Sequence, residues 1–417
     1  MSSTRATSSR PDPVTGAGAV PPWGVRTRPG RIRAGLSGAL AVLLATVLLS
    51  GCSQVVRGEE DLFARPYTGR FYDDPPQAKG APGTVVRSEL VPGQPGGSTA
   101  WRILYRSTDL RGVPVLNSGM LVVPDGKAPD GGRAIVSWGH PTTGSAEKCA
   151  PSRSVDPYVW MEGLTELLKQ GYAVVASDYA GMGVPGPDSY LVGETEGRNV
   201  LDAARAAREF LGSAVSDRVL LWGHSQGGQA ALFAAQLWRQ YAPELDVRAV
   251  AVAAPATDLA PLLRADIEDV SGVSIAAYAF DAYSSVYEVP VDTILTPAAA
   301  AALPAMNGFC LLTQNSALHD VAKPLVGGFL SADPETTEPW AGLLAANTPG
   351  GTALPMPLLV AQGMSDKLVR PESTTAFVEG EQRLGTDVTY LRVPGATHGS
   401  IASKALPDVL SFFSAHA

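Results

Sequence analysis

Short apolar runs, each too brief for a helix, alternate with amphipathic stretches along most of this chain. That rhythm constrains the fold more than any other feature. Residues 134–138, 172–176, 218–222, 247–253, 357–361 and 388–393 are apolar enough to read as strands buried on both faces. Between them, 159–168, 194–211, 229–241, 373–383 and 400–414 carry helical periodicity. In 194–211, for example, Val200, Ala203, Ala204, Ala207 and Leu211 share one face. Strand followed by helix, repeated, implies a mainly parallel central sheet flanked by helices. An earlier pair, 101–106 and 116–123, alternates apolar and polar residues and reads as a hairpin. Residues 256–345 break the rhythm. They hold a helix over 276–287 and a Pro- and Ala-rich stretch, and read as a helical cap inserted into a core made of 84–255 and 346–417.

The N-terminal 51 residues read as an export signal. A Ser-, Pro- and Arg-rich start is followed by an uncharged, largely apolar run over 34–49 and then by Leu49-Ser50-Gly51-Cys52. The small residues before Cys52 are similar to a bacterial lipobox. Cys52 is then expected to carry lipid and anchor the mature chain to the outer side of the cell membrane, or the protein is secreted. Residues 52–83, with four prolines and no period, are expected to be a loose tether. With Cys52 lipidated, Cys149 and Cys310 remain as an even pair in an oxidising compartment, and a disulfide between them is predicted. The whole chain has 32 basic and 40 acidic residues, and six of those arginines precede Cys52. The acidic body left behind argues against binding a nucleic-acid backbone. Three cysteines and five histidines without a close cluster argue against a structural zinc site. No metal or cofactor is expected, and the sequence sets no oligomeric state.

Gly223-His224-Ser225-Gln226-Gly227-Gly228 follows the strand at 218–222 and precedes the helix at 229–241. A tight strand-to-helix turn with small flanking residues lifts a serine hydroxyl above a sheet, and it aims the helix N-terminus at a developing oxyanion. Ser225 needs a base, and the base needs an acid to orient it. His398 lies after the last strand and before the last helix. Asp366 follows the strand at 357–361, and the order is Ser225, Asp366, His398. The other histidines are worse placed, and Asp320 and Asp387 are weaker acids for the role. The oxyanion donors expected are the backbone N–H groups of Gln226 and of Thr142, the latter in the loop 139–144 after an early strand. Pro141 has no N–H to give, and Thr143 stands second to Thr142. His140 and Asp178 read as structural hydrogen-bonding residues.

Together with Arg102-Ile103-Leu104-Tyr105-Arg106-Ser107 and Ser177-Asp178-Tyr179-Ala180-Gly181-Met182-Gly183, these segments resemble the secretory lipase family of α/β-hydrolases, over most of residues 70–415. The family includes Candida-type and actinobacterial exported lipases. The resemblance implies an α/β-hydrolase fold, a Ser/Asp/His triad and a helical cap shielding an acyl pocket. It also implies an acyl ester or lipid as substrate, acylglycerols foremost. Phe280 and Tyr283, on one stripe of the cap helix, are candidates for the pocket lining. An alternative keeps the triad and changes the bond. In an exported serine aminopeptidase-like enzyme, cap acids such as Asp266, Glu268, Asp269 and Asp281 would meet a substrate amine.

Overall fold

The computed structural model describes residues 69–93 and 95–417. The signal segment, Cys52 and the first part of the tether lie outside the described residues. Nine strands form one sheet: β1 (Val85–Leu90), β2 (Ser98–Thr108), β3 (Pro114–Pro124), β4 (Arg133–Gly139), β5 (Ala173–Ser177), β6 (Val215–His224), β7 (Asp246–Ala253), β8 (Leu358–Gly363) and β9 (Val388–Val393). Their spatial order is β1-β2-β3-β5-β4-β6-β7-β8-β9. The β1–β2, β2–β3 and β3–β5 pairs are antiparallel, and the rest of the sheet is parallel. This is the α/β-hydrolase arrangement that the alternation and the motifs implied. β4 and β5 are buried along their whole length, so neither face could tolerate a polar alternation.

The helices divide between the two faces. The core helices that open the chain order are α1 (Leu164–Lys169), α2 (Gly193–Leu211) and α3 (Gln226–Tyr241). α2 and α3 pack on Ile135, Val175, Val219 and Leu221. On the opposite face α1 meets Val136, Val174, Leu220 and Trp222. The helix expected over 159–168 is instead a 3-10 turn, Pro157–Trp160, followed by α1. Gly163 separates them with φ 83°, a conformation that stops a helix from running through.

Five helices lie between β7 and β8: α4 (Leu259–Asp266), α5 (Val270–Tyr287), α6 (Pro297–Asn307), α7 (Asn315–Ala322) and α8 (Trp340–Ala346). They bury their own cluster, including Val273, Tyr278, Phe280, Leu303, Leu318 and Trp340. α5 begins earlier than its apolar run suggests, because the Asp269 carboxylate accepts a hydrogen bond from Ser271 N at 2.8 Å and caps it. A disulfide joins Cys149 to Cys310, with Cα atoms 5.2 Å apart, and ties this helical insertion to the core. α9 (Pro371–Leu384) and α10 (His398–His416) complete the chain, with α10 on the same face as α1.

The tether expectation fails over its last part. Residues 69–83 are not a loose tether. Phe71 and Tyr72 are buried against Leu104, Leu116 and Val184. The Arg87 guanidinium donates to the carbonyls of Phe71 at 2.6 Å and Asp73 at 2.7 Å. Prolines obscured two aromatic anchors that the sheet edge recruits.

Candidate active site

Ser225 occupies the single residue between β6 and α3, with φ 57° and ψ −119°. A non-glycine residue holds that conformation only where its surroundings enforce it. They do so through Ser225 N, which donates to Ala253 O at 3.0 Å, and Ser225 O, which accepts from Gln229 N and Ala256 N. The flanking glycines are a steric necessity. A Cβ on Gly223 would lie 2.0 Å from Gly227 O, and one on Gly227 would lie 1.9 Å from Gly139 O. The elbow is therefore packed, backbone on backbone, against the end of β4, where the loop carrying Thr142 begins.

The partners converge from two other strand ends. His398 is the first residue of α10, just beyond β9, and Asp366 follows β8. His398 Nε2 lies 2.9 Å from Ser225 Oγ, and His398 Nδ1 lies 2.8 Å from Asp366 Oδ2. Asp366 Oδ1 accepts the backbone N–H groups of Leu368 at 2.9 Å and Val369 at 3.0 Å, which fixes the carboxylate. Thr397 N donates to Ser400 Oγ at 2.9 Å, pinning the turn that presents His398. Burial lowers the His398 pKa below the ordinary imidazole value, as does the nearby His224, while the Asp366 hydrogen bond and charge raise it. The net effect is downward, which favours the neutral imidazole that a general base needs.

Thr142, Ser225 and Gln226 line one narrow cavity of about 30 Å³, room for roughly one water. The first N–H groups of any helix lack intrahelical acceptors, which leaves Gln226 N available to an anion. The Thr142 hydroxyl pairs with Tyr190 Oη at 2.8 Å, which ties the side chain in place. The rest of the cavity is mostly hydrocarbon, from Ala256, Leu259, Leu263, Ile275, Leu368 and Val369 among others.

Phe280 and Tyr283 do not line this cavity. Phe280 packs edge-on to Trp340 at 5.4 Å inside the insertion, and the Tyr283 hydroxyl donates to Leu191 O at 2.9 Å. Gly272 and Ile275, from the first turns of α5, face the cavity instead. His140 and Asp178, read as structural hydrogen-bonding residues, both make hydrogen bonds within the core. The His140 ring lies tilted against that of Tyr179, centroids 4.5 Å apart, with Nδ1 2.7 Å from Pro141 O, and Asp178 accepts from Ser118 Oγ and Ser152 N.

Two acids near the site were not singled out from sequence. Glu162 Oε2 lies 2.9 Å from Nδ1 of His224, whose ring is 5.0 Å from that of His398. Glu196 is fully buried and accepts Gln226 Nε2 at 2.7 Å and Leu191 N at 3.1 Å; burial pushes its carboxyl well above the usual carboxylate range. A signal was present for Glu196. It is four residues before Val200 on the apolar face of α2, where a solvated glutamate does not belong.

Comparison with known proteins follows this geometry. A sequence model described as secretory lipase matches residues 159–415. A secreted triacylglycerol lipase of Malassezia globosa is 27% identical over 403 residues, covering 89% of this chain and 84% of its own. A Mycobacterium tuberculosis protein named as a probable inactive lipase is 27% identical over 369 residues, covering 83% and 81%. The closed-state crystal structure of Candida antarctica lipase A superposes with a TM-score of 0.70 at 20% identity, covering 84% of this chain and 85% of that one. With more than half of its length matched by the family's sequence model and the α/β-hydrolase fold around its elbow, the chain belongs to the secretory lipase family.

Proposed function

We propose that this protein is an exported serine carboxylic-ester hydrolase that cleaves acyl esters, acylglycerols among them, through an acyl-enzyme on Ser225. The observation that carries the reading is the unbroken hydrogen-bond chain from Ser225 Oγ through His398 to Asp366 at the head of an enforced elbow. The family is one of lipases and esterases, which favours the ester over the amide bond of an aminopeptidase-like alternative.

In the mechanism, His398 Nε2 takes the Ser225 proton as Oγ attacks the ester carbonyl. Asp366 steadies the imidazolium that forms. The oxyanion of the tetrahedral intermediate is held by the N–H groups of Gln226 and Thr142. His398 then gives its proton to the leaving alkoxide, and the alcohol departs. Water, deprotonated by His398, attacks the acyl-enzyme and the steps reverse to release acid. A cavity of about 30 Å³ is far below the several hundred of a typical ligand site, so the site has to widen to admit an ester.

The test is turnover of p-nitrophenyl esters from acetate to palmitate by the purified protein, with Ser225→Ala beside it. The expected loss in the variant is about four to six orders of magnitude. A folded wild-type protein that hydrolyses none of the series contradicts the reading.

The lipobox reading of Cys52 places this activity on the outer face of the cell membrane. Cys52→Ala is then expected to move the protein from the membrane pellet to the soluble fraction. An unchanged distribution argues against a lipid anchor at that residue.

A further inference from the structure

Among the described residues that line the hydrocarbon cavity beside Ser225, Asp266 is the one acidic residue. α4 ends at this residue and α5 begins at Val270, so the chain reverses within three residues. Asp269 N closes the turn by donating to Asp266 O at 2.8 Å. Gly272 makes the reversal possible, since a Cβ there would lie 1.9 Å from Asp266 O. The turn brings Asp266 to the cavity wall, where it is only 8% exposed.

Among the described residues, no hydrogen bond and no ion pair reaches its carboxyl group. Three charges act on it from further away: Arg370 attracts it, whereas Asp269 and Asp366 repel it. Burial is the largest influence, and the carboxyl is pushed up to about 7. A buried polar group is ordinarily satisfied by the protein, and one that is not, on the wall of a ligand cavity, is placed for a donor on the ligand.

We propose that Asp266 is a specificity-determining residue that pairs with a hydroxyl group carried by the ester near its scissile bond. The protein then selects hydroxyl-bearing esters, such as partial acylglycerols, over esters of plain hydrocarbon. A hydroxyl suits this site better than an ammonium group. It can donate to the carboxylate or accept from the carboxylic acid, so it pairs with Asp266 in either state. An ammonium group would have to shed its water into a hydrocarbon cavity, with Arg370 nearby. The inference rests on the reading of Ser225 as an ester-hydrolysing nucleophile.

The experiment compares kcat/KM of the full-length protein on matched pairs. Glycerol monobutyrate is set against propyl butyrate, and p-nitrophenyl 3-hydroxybutyrate against p-nitrophenyl butyrate. 3-Aminopropyl butyrate supplies the ammonium arm. The wild type is expected to favour the hydroxyl ester of at least one pair by about tenfold or more. Asp266→Leu should bring that ratio to about one. Asp266→Asn keeps a carbonyl acceptor and nearly the same shape, which guards against misfolding. It should retain a preference that no longer changes with pH, whereas the wild-type preference should grow as Asp266 ionises between about pH 5.5 and about pH 8.5.

Ester hydrolysis without a hydroxyl preference overturns this inference alone. So does a preference that persists unchanged in Asp266→Leu, or an ammonium ester that outperforms both hydroxyl esters. No hydrolysis of any ester overturns the ester-hydrolase reading and this inference with it.

Discussion

At the scale of single residues, the site is governed by how burial and hydrogen bonding set the state of His398. A base works only when neutral, so activity should fall on the acid side as His398 gains a proton. Burial lowers its pKa, and the acid limb of kcat against pH should therefore have its midpoint below the ordinary imidazole value of about 6.5. Asp366→Asn removes the two larger influences that raise it and leaves only the weaker pull of Glu162. The limb should move further toward acid, and kcat should drop by about three to four orders of magnitude because the tautomer is no longer enforced. A pH–rate profile of the two proteins checks this, and a wild-type limb centred well above 7 contradicts it. The three residues of this chain were legible in the sequence because each sits just past an apolar strand, where spacing and order are informative. Asp266 was visible only as one of several acids in the insertion, since nothing in its neighbours says that a three-residue reversal would bring it to the wall of the cavity that Ser225 lines. Glu162 was hidden for a related reason: its partner His224 is distant in sequence and reaches it only through the fold.

At the scale of elements, buried strands were easy to read and the insertion was not. The parallel strands are apolar on both faces, so their runs stand out from their surroundings. Strand β1 did not stand out: its burial is partial and without a sharp apolar alternation. α5 is buried on nearly every side, from Gly272 to Tyr283, so no stripe on it marks the cavity. That is why Phe280 and Tyr283 were chosen and Gly272 and Ile275 were not. The disulfide belongs to this scale as well. It fastens Cys310, between α6 and α7, to Cys149, whose carbonyl accepts the Thr143 hydroxyl at 2.9 Å in the loop that carries Thr142. Closing a separation of 161 residues restrains the unfolded chain strongly. Cys149→Ser with Cys310→Ser should lower stability by about 3–5 kcal/mol. Denaturant unfolding of the double variant measures the loss, and an unchanged midpoint contradicts a structural role for the bridge.

At the scale of the whole molecule, the alternation of strand and helix dictated the layered architecture, and the order Ser225, Asp366, His398 followed from it. The long gap between the first two is filled by five helices with their own core, standing between β7 and β8. Residues 69–83 escaped the sequence reading because their docking depends on a sheet edge that exists only once the chain is folded. The central claim concerns one bond: the acyl group of the ester passes through Ser225. The most direct measurement is the mass of the Ser225-bearing peptide after turnover of p-nitrophenyl butyrate is stopped with acid. The account predicts a butyryl adduct on Ser225 in the wild-type protein that is absent in Ser225→Ala. Turnover without an adduct, together with a Ser225→Ala variant as active as the wild type, would contradict it.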